Sequence, residues 1–144
     1  MFNALSSKVA FDNLEDSLSG TVNVYPTLAN AITVTSSSSA WTHGSYAEIV
    51  PVDTISDAIF VDSVVVEVPS AAGTYQIDLA TGAAASEVVV STVRFAAGHA
   101  SNHMSLVIPI RKKVLKNVRI SARCASKVAS AKTLDVSISY RTIS

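Results

Sequence analysis

Residues 59–68 read IFVDSVVVEV, a valine-rich run typical of a buried β-strand. The run ends at PSAAG, residues 69–73, whose composition indicates a turn. Residues 74–79, TYQIDL, alternate apolar and polar side chains, so they predict a second strand that follows directly. This strand–turn–strand unit places the chain in the β class.

The sequence on both sides of this unit also predicts short strands. Before it, strands are expected at 21–25, 31–35 and 46–50; after it, a strand is expected at 88–95. Three alternating apolar faces follow near the C-terminus: Met104-Leu106-Ile108-Ile110, Val118-Ile120-Ala122-Cys124 and Leu134-Val136-Ile138-Tyr140. We expect eight or nine strands in an all-β antiparallel sandwich, most simply a jelly roll.

Residues 1–20 differ from this β domain, which we expect to span 21–144. They place Phe2, Leu5 and further apolar side chains at loose helical spacing. A short helix, an extended arm on another surface and a strand packed on its own domain all fit this spacing. Phe2 and Leu5 are therefore candidate interface residues.

Composition limits the classes of protein. The chain has 144 residues, of which 49% are apolar and 15% charged, as expected for one domain with a real core. No apolar run approaches the roughly 20 residues of a membrane span, and no secretory leader is recognisable, so we expect folding in a cytoplasm. The single cysteine, Cys124, falls on an apolar face and is interpreted as a core residue.

The net charge of zero conceals an uneven distribution. Residues 1–100 carry ten acidic and two basic side chains, whereas residues 101–144 carry nine basic and one acidic. Opposite charges of this kind can pair inside one fold or between apposed copies. The second arrangement would indicate an assembly.

The basic side chains include a dense group: Arg111, Lys112, Lys113, Lys116, Arg119, Arg123 and Lys127. Such a group could neutralise the phosphates of a nucleic acid. However, Tyr140 is the only aromatic residue after position 100, which argues against stacking on nucleic-acid bases. An acidic protein surface explains the group at least as well. We take Arg111, Lys112, Lys113, Arg119 and Arg123 as candidate interface residues and do not expect nucleic acid as a partner.

Catalytic and cofactor signatures are lacking. The sequence contains no Gly-x-Ser-x-Gly elbow and no glycine-rich phosphate loop. His99 and His103 lie four residues apart, but in a segment that is expected to be a loop. We therefore expect neither an enzyme nor a cofactor. Trp41, in a serine-rich loop beside His43 and Tyr46, either covers one end of the sandwich or marks a binding tip.

Five stretches carry a resemblance to a known group of proteins. They are GSYAEIVP at 44–51, VPS at 68–70, AAGTYQIDLATGAAASE at 71–87, IPI at 108–110 and ISARCA at 120–125. Together they resemble small β-sandwich virion proteins of tailed bacteriophages, most of all capsid decoration, or cement, proteins. The resemblance covers about two-thirds of the chain and rests on turns and strand order, so no binding residue is carried over from it.

The resemblance implies a subunit on the outer surface of a capsid, assembled in the host cytoplasm. It would bind the major capsid protein and associate with itself, commonly as a homotrimer. A position at the neck or tail of the particle is the structural alternative. A lectin-like receptor or glycan-binding module using the Trp41 loop is the alternative from another class.

Overall fold

The computed structural model describes residues 21–67, 69–98 and 105–143. The predictions for residues 1–20, including Phe2 and Leu5, and for His99 and His103 lie outside these residues. The described part contains nine strands and one short 3-10 helix at Leu28–Asn30. The strands are β1 (Asn23–Tyr25), β2 (Ile32–Thr35), β3 (Ala47–Val50), β4 (Ile59–Glu67), β5 (Gly73–Thr81), β6 (Val88–Ala97), β7 (Leu106–Val114), β8 (Ile120–Ser126) and β9 (Thr133–Thr142).

The strands form two antiparallel sheets. In the first sheet the order is β1-β9-β4-β7, and β2 also pairs with β9, next to β1. In the second sheet the order is β3-β8-β5-β6. The all-β sandwich predicted from the sequence is confirmed, and the number of strands agrees with the expected eight or nine. No helix among the described residues is long and apolar enough to cross a membrane.

The strand pairs are nested around the β5–β6 turn. β5 pairs with β6, β4 with β7, β3 with β8 and β2 with β9, so the chain folds back on itself from one central turn. Successive pairs belong alternately to the second and the first sheet. Strands distant in sequence, such as β2 and β9, therefore become neighbours.

The core lies between the two sheets and follows from the alternation in each strand. On β9, Leu134, Val136 and Ile138 are fully buried, and on β8, Ala122 and Cys124 are buried in the same layer. Each large apolar side chain removed from water contributes about 1.5–3 kcal/mol. The core position expected for Cys124 is confirmed.

The predicted strand at 74–79 is longer in the structure. Strand β5 begins at Gly73 and continues to Thr81, because Ala80 pairs with Val89 on one side and with Ser121 on the other. The strand therefore ends two residues later than the sequence predicts. The outer face of this central strand carries the polar side chains of Gln76 and Asp78.

Candidate functional site

The loop between β2 and β3 is fastened to the second sheet by its backbone. The N–H of Trp41 donates to the carbonyl of Ser126 at 2.7 Å, and the N–H of Gly44 donates to that of Cys124 at 3.0 Å. A Cβ at position 44 would lie 1.8 Å from the carbonyl oxygen of Thr35, so only glycine fits there. The loop thereby brings its aromatic and imidazole side chains onto the outer face of the sheet.

Asp78, on β5, is the centre of this face. Its side chain accepts hydrogen bonds from Nε of Arg123 at 2.9 Å and from Oγ1 of Thr92 at 2.8 Å. Nε2 of His43 lies 3.2 Å from the same carboxylate. Asp78 is only 3% exposed, and a buried carboxylate requires such donors. Its position on β5, opposite Thr92 and Arg123, follows from the strand register.

His43 links Asp78 to a second group of polar side chains. Its Nε2 lies 3.3 Å from Nε2 of Gln76, and Oε1 of Gln76 accepts from Nη2 of Arg94 at 3.2 Å. With a proton on Nε2, His43 donates to Asp78; without it, the same atom accepts from Gln76. The two arrangements differ only in this proton.

Both arginines of this face lie on aromatic rings. The guanidinium carbon of Arg94 is 4.3 Å from the ring centroid of Trp41, and that of Arg123 is 4.7 Å from the centroid of Tyr46. Cation–π contacts of this kind hold a guanidinium flat and leave its edge N–H groups available. We name the eight side chains on this face the Asp78 cluster; they are Trp41, His43, Tyr46, Gln76, Asp78, Thr92, Arg94 and Arg123.

A second ion-pair group surrounds Arg119. This arginine donates to Glu48 at 2.8 Å, to Glu87 at 3.0 Å and to the carbonyl of Gly82 at 3.1 Å. Burial alone would lower the pKa of Arg119, but the hydrogen bonds to the two carboxylates outweigh it and raise this pKa. A backbone hydrogen bond and Arg119 together lower the pKa of Glu87. The group fastens the β5–β6 turn to β3.

The ion pairs show how part of the charge asymmetry is resolved. Arg119, Arg123 and Arg141, all from the basic C-terminal part, pair with Glu48 and other carboxylates before residue 100. Of the two arrangements considered from the sequence, pairing inside one fold accounts for these three arginines.

The predicted interface residues do not form one surface. Arg111, Lys112 and Lys113 lie on β7 in the first sheet, whereas Arg123 lies on β8 in the second. Trp41 and Arg123 belong to one cluster, while Arg119 belongs to the other ion-pair group. The basic group of the sequence is therefore divided among β7, β8 and the segments that follow each of these strands.

Sequence reasoning missed the central members of the cluster, Gln76, Asp78, Thr92 and Arg94. A partial signal was present, because Gln76 and Asp78 occupy the polar positions of an alternating strand and so share its outer face. The register that places Arg123 beside Asp78 cannot be inferred from the local sequence pattern of either strand.

The chemistry of the cluster is that of a polar binding surface. It combines guanidinium, amide and imidazole groups with two aromatic rings, and Trp41 is 40% exposed. His43 and Asp78 form a dyad, but no serine hydroxyl among the described residues is hydrogen-bonded to His43. Within the same ranges, no group of three or more acidic, histidine or cysteine side chains is placed to hold a metal ion.

Comparison with known proteins adds no relative. No family model, no curated protein and no solved structure matches this chain.

Proposed function

We propose that this protein is a structural virion protein that binds the outside of a bacteriophage capsid as a decoration, or cement, subunit. The observation that carries the proposal is a strip of unpaired positive charge on β7. Arg111, Lys112 and Lys113 are exposed, and none of them makes an ion pair with any residue in the described ranges. Pairing among the described residues thus leaves this part of the charge asymmetry unbalanced.

The position of β7 suits it to contact another protein. It is the last strand in the order of the first sheet, so no strand among the described residues pairs with one of its edges. Val107, on the same strand, is 65% exposed, and Leu115, directly after it, is 67% exposed. Apolar side chains beside unpaired cations are suited to a partner surface that is acidic around an apolar centre.

The proposed partner is the major capsid protein, with self-association of the subunit as a homotrimer on the capsid surface of the virion. Many copies on a symmetric shell bind strongly even when each contact is weak. We further propose that the sandwich is a jelly roll. The nested pairing of β5 with β6, β4 with β7, β3 with β8 and β2 with β9 supports this assignment.

The capsid proposal is tested by co-sedimentation of the purified protein with undecorated capsids. Lys112→Glu/Lys113→Glu should reduce the bound fraction, and attachment should weaken as salt increases. Lys127→Glu/Lys132→Glu makes the same change of charge away from β7 and should bind as the unmodified protein does. Equal binding by both variants, or attachment to tails but not to shells, would contradict the proposal. Sedimentation velocity of the purified protein tests self-association, and a trimer is expected. A protein that binds capsids but stays a monomer would exclude the homotrimer.

A further inference from the structure

Arg94 differs from the other arginine of the Asp78 cluster in its charge balance. Arg123 is paired with Asp78 at 2.9 Å, whereas Arg94 makes no ion pair in the part of the chain that the structure describes. Its one hydrogen bond, from Nη2, goes to the neutral amide oxygen of Gln76. Among the described residues, no carboxylate therefore balances the charge of Arg94, and its guanidinium has further N–H donors on the outer face of the second sheet.

The guanidinium of Arg94 is also held in place. It lies 4.3 Å from the ring centroid of Trp41, and Gln76, which accepts its hydrogen bond, is itself in contact with His43. The backbone of Trp41 is fastened by its 2.7 Å hydrogen bond to Ser126. A group fixed before binding loses little conformational entropy when a ligand arrives.

We infer that the Asp78 cluster binds a sugar that carries a carboxylate. The fork of guanidinium N–H groups on Arg94 matches the two oxygens of a carboxylate. The exposed part of the Trp41 indole offers an apolar surface to the C–H groups of a pyranose ring. Gln76 and His43 supply the amide and imidazole atoms that pair with sugar hydroxyl groups.

The charges of the cluster favour an acidic sugar over a neutral one. Asp78 is the only carboxylate in the cluster, and it is 3% exposed with donors on both of its oxygens. The two guanidinium groups of Arg94 and Arg123 and the single carboxylate of Asp78 give these three side chains one net positive charge. An anion placed beside Arg94 would therefore be attracted.

Trp41 makes this site directly observable, because it is the only tryptophan in the chain. Its intrinsic fluorescence should change on titration with glucuronate and saturate at millimolar concentration. Glucose at the same concentrations, which lacks the carboxylate, should bind at least about tenfold more weakly. Acetate, which lacks the ring, should also bind at least about tenfold more weakly.

Variants distinguish this site from general attraction of anions. Arg94→Gln should weaken glucuronate binding at least about tenfold, whereas Lys112→Gln, which removes one positive charge from the other sheet, should leave it unchanged. Both should retain the circular dichroism spectrum of the parent. Unchanged binding in Arg94→Gln, equal binding of glucuronate and acetate, or no fluorescence response to glucuronate would overturn the inference. Since Lys112 and Arg94 lie on different sheets, the capsid assay and the sugar assay can fail separately.

Discussion

Arg123 donates from Nε to Oδ2 of Asp78 across 2.9 Å, although 45 residues separate them along the chain. The bond joins β8 to β5 on the outer face of the second sheet. Because Asp78 is nearly inaccessible to water, its charge depends on Arg123, Thr92 and His43 for solvation. This contact therefore contributes both to stability and to the arrangement of the cluster.

We predict that Asp78→Asn lowers the free energy of unfolding by about 1–3 kcal/mol. The substitution keeps the shape of the side chain but removes the charge that pairs with Arg123, which is partly exposed and regains some hydration. Urea unfolding followed by circular dichroism measures the change. Thr92→Ala removes one hydrogen bond from a neutral donor to the same carboxylate. Because Thr92 is exposed, water can replace this donor, so the variant should cost only about 0.5–1.5 kcal/mol. If both variants lose the same amount, the charge of Asp78 is not what stabilises this face.

We predict that Gly44→Ala lowers the free energy of unfolding. Overpacking typically costs about 1–3 kcal/mol, and this variant should lie at the upper end of that range. Its new methyl group would lie 1.8 Å from the carbonyl oxygen of Thr35, which is backbone and cannot rotate away. The loop that carries Trp41 must then move, so the maximum of tryptophan fluorescence should shift as well. Gly98→Ala is the matched control, since no described residue lies within 4 Å of a Cβ there, and it should leave both measurements unchanged. Equal effects at the two positions would refute the argument from close packing.

Much of the fold could be predicted because alternation is a local property. Leu134, Val136 and Ile138 predicted one buried face of a strand, and all three are fully buried. The ends of the strands were harder to predict, as β5 shows. Ala80 remains in the sheet because both neighbouring strands supply pairing partners. Pairing partners, not composition, determine where such a strand ends.

The candidate site could be predicted only in part. Trp41 and Arg123 were recognised as residue types suited to interfaces, and they lie in one cluster. Arg119 and Arg123 were grouped with Lys112 because they are close in sequence. In the structure, Lys112 lies on β7 in the first sheet, Arg123 on β8 in the second, and Arg119 in the connection between these strands. Long-range pairing of this kind depends on register, which short strands alone do not define.

We predict that the thiol of Cys124 is inert in the native protein. Burial raises its pKa from 9.0 to about 12, so the fraction present as thiolate at pH 9 falls by a factor of about 500. Iodoacetamide labelling at pH 9, followed by mass spectrometry, should be slow for the folded chain and fast in urea. Native labelling as fast as that of the unfolded chain would show that the thiol is accessible.

We predict that the raised pKa of Cys124 also makes the fold less stable in alkaline solution. Between pH 9 and about pH 12 the unfolded chain loses the Cys124 proton while the folded chain keeps it. The stability contributed by the buried thiol is complete below pH 9 and declines as pH rises through this window, by up to about 1 kcal/mol per pH unit. Unfolding free energies measured across the window should fall less steeply for Cys124→Ala. Parallel slopes for both proteins would contradict the assignment to this thiol.

We predict that Ser121→Ala stabilises the protein. Ser121 is fully buried, and its Oγ has no hydrogen-bond partner among the described residues. Removing an unsatisfied buried hydroxyl should raise the free energy of unfolding by about 0.5–2 kcal/mol. Ser139→Ala is the control: Ser139 is hydrogen-bonded to Ser63, so its removal leaves the buried Ser63 hydroxyl unpaired. This control should lose about 1–2 kcal/mol in the same urea titration. A loss of similar size in Ser121→Ala would mean that its hydroxyl is satisfied, for instance by a bound water.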